Sequence, residues 1–276
     1  MAGPMLKLTG RYAAAGVLGA VLLVAGCAAL PPAAPPLPPP PAHLNGQVLW
    51  RIIHDQCLPD QRDHGDPKPC VAVSVKDGEA HGYVVLKDRA GIAQHLLMPS
   101  AKVTGIEDPA VLAPDATNYF AKAWEARRFV AEKLGRPVDA TWLSVAVNSA
   151  YGRSQDQLHL HVDCVDGGVA AALHAAAPPP SAAWAAQPLM LKGRAYRVRW
   201  LAADQLAAAN PFKLLAETMP GARAAMGAWT LALVGGVGPG GKPGFYLLAD
   251  RADPAAGDPA SAEDLQDHAC TAVPRG

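Results

Sequence analysis

The stretch Gln157-Leu158-His159-Leu160-His161-Val162-Asp163-Cys164 alternates polar and apolar residues along its whole length. Successive side chains of a strand point to opposite faces, so Leu158, Leu160, Val162 and Cys164 are expected to pack inward. Gln157, His159, His161 and Asp163 then share the other face. A chain with 9 histidines thus sets two imidazoles side by side. The residues alone fit a nucleophile with its partner, half of a zinc site, or an ordinary strand. Among possible third zinc ligands, Asp163, His95 and His174 show no spacing that singles one out.

Working outward, the segment Leu143 to Asn148 (LSVAVN) reads as a strand joined to the histidine strand by the turn Tyr151-Gly152-Arg153. Before it, a helix capped by Thr117 carries Phe120, Trp124, Phe129 and Leu134, and Gly135 with Pro137 stops it. Upstream again, GYVVLK at 82–87 and QHLLM at 94–98 form a hairpin across the turn Asp88 to Gly91. A short amphipathic helix at 46–57 leads into a loop rich in proline and aspartate. The series predicts an α+β meander with one packed helix. After an alanine- and proline-rich stretch at 170–186, the order strand, helix, strand, turn, strand returns, through YRVRW at 196–200, an apolar helix around 212–226, WTLALV at 229–234 and FYLL at 245–248. FYLLAD at 245–250 occupies the place of LHLHVD at 158–163, without a histidine.

The N-terminus reads as an address. Lys7 and Arg11 precede an apolar stretch, Ala13 to Ala25, too short for a secure membrane span but suited to a secretory signal. It ends in Leu23-Val24-Ala25-Gly26-Cys27, which resembles the lipobox of bacterial lipoproteins and makes Cys27 the expected lipid anchor. The proline-rich segment 30–42 cannot form a helix or a ladder, so an extended spacer is expected. Hydrophobic residues make up 50% of the sequence and charged residues 17%, with 24 basic against 24 acidic, which argues against electrostatic capture of nucleic acid. Export and an even count of the remaining cysteines favour disulfides. More than one pairing is open; the favoured one joins Cys57 with Cys70 and Cys164 with Cys270.

Several blocks together carry a family likeness: CLPDQRDHGDPKPC (57–70), GYVVLKD (82–88), LLMP (96–99), NSAYGRSQDQLHLHVDC (148–164), NPFKLLAETMP (210–220) and QDHAC (266–270). In this order they resemble the histidine-triad (HIT) superfamily of nucleotide hydrolases and transferases, and within it the bacterial CDP-diacylglycerol diphosphatase family. The likeness implies a HIT-like antiparallel sheet with a packed helix, followed by a degenerate second HIT-like unit, so that one chain forms a pseudo-dimer. The expected organisation is a signal at 1–26, anchor and spacer at 27–42, a catalytic half at 43–170 and a second half at 171–276.

The resemblance also assigns roles. His159 stands at the nucleophile position, His161 beside the phosphoryl oxygens, and Ser154 where HIT enzymes place a leaving-group serine. The first triad position holds Gln157 rather than histidine; it is expected to orient phosphate or His161, since an amide both donates and accepts. Asn148, Lys87 and Lys102 are expected to bind substrate. A neutral imidazole is a competent nucleophile near neutral pH, and the chemistry requires no metal or other cofactor. The implied activity is hydrolysis of membrane-borne CDP-diacylglycerol to CMP and phosphatidate, with water as acceptor. The implied setting is the bacterial envelope, the catalytic part facing the periplasm as a membrane-anchored monomer that binds no nucleic acid. A binding module on the same scaffold, or transfer of CMP to another acceptor, shares these residues.

Overall fold

The structure, a computed structural model, describes residues 1, 3, 37–176 and 183–274. The signal, the lipobox with Cys27 and most of the proline-rich spacer lie outside the described residues. No helix among the described residues is long and apolar enough to cross a membrane.

The fold is α+β, built on a nine-stranded sheet in the order β1-β2-β3-β5-β4-β8-β9-β7-β6. The strands are β1 (Cys70–Ser74), β2 (Tyr83–Lys87), β3 (His95–Pro99), β4 (Leu143–Val147), β5 (Leu160–Cys164), β6 (Leu189–Leu191), β7 (Arg194–Ala202), β8 (Trp229–Val237) and β9 (Pro243–Arg251). Every neighbouring pair is antiparallel. The order β2-β3-β5-β4 recurs as β6-β7-β9-β8. The two series meet at β4 and β8, where Val145 pairs with Leu233 and Ala146 with Ala232.

The alternation in β5 decides which face each side chain takes. Leu160, Val162 and Cys164 join Val145, Leu231 and Leu247 in the larger core, under α3 (Tyr119–Ala126), α4 (Arg128–Leu134) and α6 (Pro211–Thr218). Phe120 and Phe212, both fully buried, meet edge to face at 5.1 Å and join the helices of the two halves. Burying a side chain of this size contributes roughly 1.5–3 kcal/mol. On the opposite, histidine-bearing face, α1 (Val48–Ile52), a π turn (Ile53–Cys57) and α2 (Leu58–His64) cover Val84, Leu86, Leu96 and Met98. Farther along this face, α5 (Gly167–Ala176) and the C-terminal tail cover Ala146, Ala232, Val234 and Leu248. The gap between these two coverings leaves a cavity over the histidines.

Local chemistry moves some boundaries from their expected places. The segment Leu58–His64 is helical rather than a loop, because Pro59 falls in the first turn, where its missing N–H has no intrahelical partner to lose. Asn118, not Thr117, caps α3: its Oδ1 accepts from Ala121 N at 3.1 Å, whereas the Thr117 hydroxyl donates to His81 O. The expected single helix breaks at Arg127 into α3 and α4, and Gly135, at φ 68°, ends the second. The alanine-rich start of the 170–186 stretch belongs to α5. Strands β1 and β6, which form the sheet's two edges, were not expected. Both favoured disulfides are present, Cys57 with Cys70 and Cys164 with Cys270. The first ties the π turn to β1, and the second ties the tail to β5.

Candidate active site

His161 lies in β5 and His159 just before it, with ring centroids 4.9 Å apart. Their strand neighbours are core residues, so the imidazoles cannot rotate to the other face without exposing Leu160 and Val162. Both rings open onto a cavity of about 470 Å³, within the usual range for small-molecule sites. One wall is apolar, from Val48, Leu49 and Ile52 of α1 with Leu86 and Leu96. The other is polar, from Asn148, Ser154, Lys87, Arg89 and Glu263.

His159 is 7% exposed, and its Nδ1 lies 2.6 Å from Gln157 O. A carbonyl only accepts, so Nδ1 carries the proton and Nε2 keeps its lone pair. Burial, with the nearby His161 adding to it, depresses the pKa of His159 to about 4. The ring is therefore neutral at ordinary pH, as a nucleophile must be.

His161 is held by the tail. Its Nδ1 lies 3.2 Å from Glu263 Oε1 and 3.2 Å from Gln94 Nε2, while Nε2 is buried with no hydrogen-bond partner among the described residues. Glu263 is itself fixed: Asn148 Nδ2 donates to Oε2 at 3.0 Å, and Asn148 Oδ1 accepts from Glu263 N at 3.1 Å. Burial pushes the Glu263 carboxyl up. The hydrogen bond and charge of His161, with the amides of Asn148 and Gln94, more than reverse this and hold it at about 2. Gln266 Nε2 donates to His161 O and to Ser144 Oγ, both at 3.0 Å. His268 Nδ1 lies 2.8 Å from Asp163 Oδ2, and that pair raises the His268 pKa.

The turn bearing Ser154 is locked from beneath. Ser149 Oγ accepts from Tyr151 N and Gly152 N, and Arg153 grips Glu107 with two bonds of 2.6 Å. A Cβ on Gly152 would press on the carbonyls of Pro259 and Ala260 at 3.2 Å, and one on Gly105 would strike the Arg153 guanidinium at 2.1 Å. Ser154 stands exposed at the cavity above this frame.

Of the residues singled out in the sequence, the structure thus brings His159, His161, Ser154, Asn148 and Lys87 together on one cavity. Lys87 is a partial fit, since its Nζ donates to Asp88 O at 2.6 Å and Gly91 O at 3.1 Å. Two others do not line the cavity. Gln157 is fully buried, its Nε2 donating to Pro99 O and Ala101 O while its Oε1 accepts from Val103 N. Lys102 lies on the outer side of α1, donating to Gln47 Oε1 and Asp156 O. Glu263 and Arg89 went unnoticed in the sequence. Glu263 sits in a single 3-10 turn, Ala262–Leu265, too short to show a periodicity, and Arg89 is one charge in a turn.

Among the described residues, the one cluster of ligand-type atoms close enough to share a metal is Asp163, Cys164 and Cys270, whose sulfurs form the disulfide. The cavity itself gathers two imidazoles, a carboxylate, a hydroxyl and nearby cations, suited to attack on phosphorus and to neutralising phosphoryl charge.

Comparison with known proteins bears on this arrangement. The profile of the family described as CDP-diacylglycerol pyrophosphatase matches residues 44–274. The chain is also 45% identical over 230 residues to a protein of Yersinia pestis named CDP-diacylglycerol pyrophosphatase, an alignment covering 83% of this chain and 86% of that one.

Proposed function

Because the chain belongs to the CDP-diacylglycerol pyrophosphatase family, we propose that it hydrolyses the pyrophosphate bond of CDP-diacylglycerol to CMP and phosphatidate. His159 Nε2 attacks the phosphorus bearing the cytidine. The N–P bond forms as the bridging P–O bond breaks, and phosphatidate leaves. Water then attacks the cytidylyl-histidine, the N–P bond breaks, and CMP departs. The observation that carries this reading is the buried, neutral His159 with its proton fixed on Nδ1 and its Nε2 facing the cavity.

The other groups supply orientation and charge. His161 directs Nε2 at the phosphoryl oxygens, held from behind by Glu263, and the Ser154 hydroxyl supports the departing oxygen. Lys87 stands at the second phosphate. Asn148 acts mainly by fixing Glu263, and Gln157 by building the loop that presents its own carbonyl to His159. Lys102 braces α1 against the Ser154 turn.

The architecture is, in the same proposal, a HIT-like unit followed by a degenerate copy. The recurring strand order supports it. So does the register: aligning Val145 with Leu231 aligns their partners Val162 and Ala249, hence Asp163 with Asp250 and His159 with Tyr246. Both aspartates accept from the next residue's amide, Cys164 N at 2.8 Å and Arg251 N at 2.7 Å. Attachment through Cys27 to the envelope membrane, facing the periplasm, fits the lipobox and two disulfides of an oxidising compartment.

The test is acid quench of the full chain during turnover of CDP-diacylglycerol, with and without chelator. The expected result is metal-independent CMP release and a cytidylyl adduct on His159. Activity that vanishes on chelation and returns with zinc would replace the nucleophile by a metal centre.

A further inference from the structure

The mouth of the cavity differs from its interior. Among the described residues few large apolar side chains stand exposed, and two of them flank this mouth from separate elements. Leu44 is fully exposed, 101%, and adjoins the cavity residue Asn45. Ile92 is 51% exposed, on the β2–β3 turn between the cavity residues Lys87 to Arg89 and Gln94, whose amide reaches His161. That turn is rigid. Lys87 Nζ is bound by its carbonyls, and Ile92 N donates to His268 O at 2.8 Å. It also presents Arg89, exposed and with no ion-pair partner among the described residues.

Two further observations point the same way. The apolar wall of Val48, Ile52 and Leu96 runs inward from the rim to the histidines, a path for the less polar part of a ligand. The segment that carries Leu44 is also held at this side: Pro38 O accepts from the Tyr151 hydroxyl, and His43 Nδ1 lies 3.0 Å from Asp156 Oδ1, on either flank of the Ser154 turn.

We propose that this rim is a docking surface for an anionic phospholipid bilayer. Leu44 and Ile92 enter the headgroup layer, and Arg89 meets lipid phosphate. The assignment rests on the reading of the substrate as a lipid pyrophosphate: its acyl chains stay in the bilayer while its phosphates reach His159. The stiff turn keeps Ile92 and Arg89 presented before contact, so docking carries little ordering cost.

The experiment reconstitutes the full chain in vesicles containing phosphatidylglycerol and compares it with the double variant Leu44→Asp, Ile92→Asp. Neither residue lines the cavity. Turnover is measured on long-chain CDP-diacylglycerol in the bilayer and on a water-soluble dihexanoyl analogue. The expected result is a loss of about tenfold or more on the bilayer substrate and unchanged turnover of the soluble one. Equal rates on both substrates, or equal losses on both, would overturn the docking assignment. Hydrogen exchange gives a readout independent of catalysis, so failure of the enzymatic reading is seen separately. Amides at 43–52 and 88–92 slow in phosphatidylglycerol vesicles relative to phosphatidylcholine vesicles. No slowing in either segment overturns the proposal even if turnover is normal.

Discussion

Glu263 Oε1 lies 3.2 Å from His161 Nδ1, although the two residues are separated by most of the second half of the chain. The carboxylate fixes the ring's rotation, with Nδ1 toward Glu263 and Nε2 turned away from it. A group that orients another in this way commonly costs ten- to a hundredfold when its charge is lost, by about the scale seen for outer-shell partners of metal-bound histidines.

Glu263→Gln is therefore expected to lower kcat by roughly ten- to a hundredfold with little change in KM. Glu263→Asp should recover part of the loss, since the charge returns at a shorter reach. Steady-state kinetics on the three proteins decides it; a variant with raised KM and normal kcat would place Glu263 in substrate binding instead.

His159→Ala is expected to remove about 10⁴-fold or more of the activity, on the order of 5 kcal/mol, as for a nucleophile acting within a unit. The side chain borders a cavity, so the melting temperature should shift by only a few degrees. His161→Ala and Ser154→Ala should cost less, because water can partly neutralise the charge they meet. Near wild-type turnover by His159→Ala would end the covalent mechanism.

Much of this was readable in the sequence, and the reason is the period of two. Leu160, Val162 and Cys164 could pack only if His159 and His161 shared the other face, so the site's centre followed from the strand. The same rule failed at Gln157. It lies before the ladder begins at Leu160, where Pro99 O, Ala101 O and Val103 N draw its amide inward. Glu263, Gln266 and His268 were illegible because they act from a tail whose one 3-10 turn, Ala262–Leu265, is too short to show a repeating pattern and which is tied down by a crosslink to Cys164. The hairpin was legible from two short apolar runs on either side of the turn Asp88 to Gly91, whereas α2 hid behind proline and aspartate, which favour loops except in a helix's first turn.

The pH dependence of the reaction should carry the mark of His159. Its pKa in the fold is about 4, so the acidic limb of kcat/KM should fall near pH 4 rather than near the ordinary imidazole value. Stability follows the same ring: the unfolded chain binds this proton near pH 6.5 and the folded chain does not until about 4, so the fold weakens as pH drops through that window. An acidic limb near 6.5 in pre-steady-state rates would show that the ring titrates as if solvated.

Cys270→Ser should destabilise the protein by about 2–5 kcal/mol, the usual cost of losing a native disulfide. It should also depress activity in conditions where the rest of the fold persists, because the released tail carries Glu263, Gln266 and His268. Parallel denaturation and activity curves test this; coincident loss of both would mean that the tail holds its place without the crosslink.

Asp250→Asn should act in the opposite pH direction to His159. Burial and the charge of Asp258 raise the Asp250 pKa, so the folded protein holds a proton that the unfolded chain has released. That contribution is present in acid and is lost as pH rises toward and past neutrality. The variant should therefore match wild type near pH 4 and melt a few degrees higher near pH 8. A constant difference across that range would exclude titration of this carboxyl as its cause.

The pairing of β4 with β8 also governs what each half can do apart. Severed between the halves, each would offer a buried, apolar strand as an unsatisfied border where its sister had been, while the natural outer borders, β1 and β6, are already partly exposed. Two separately made fragments should therefore seek each other, and co-expression should rebuild a working enzyme from pieces that alone aggregate. A chain of this design can be cut in the middle, yet neither piece can be discarded.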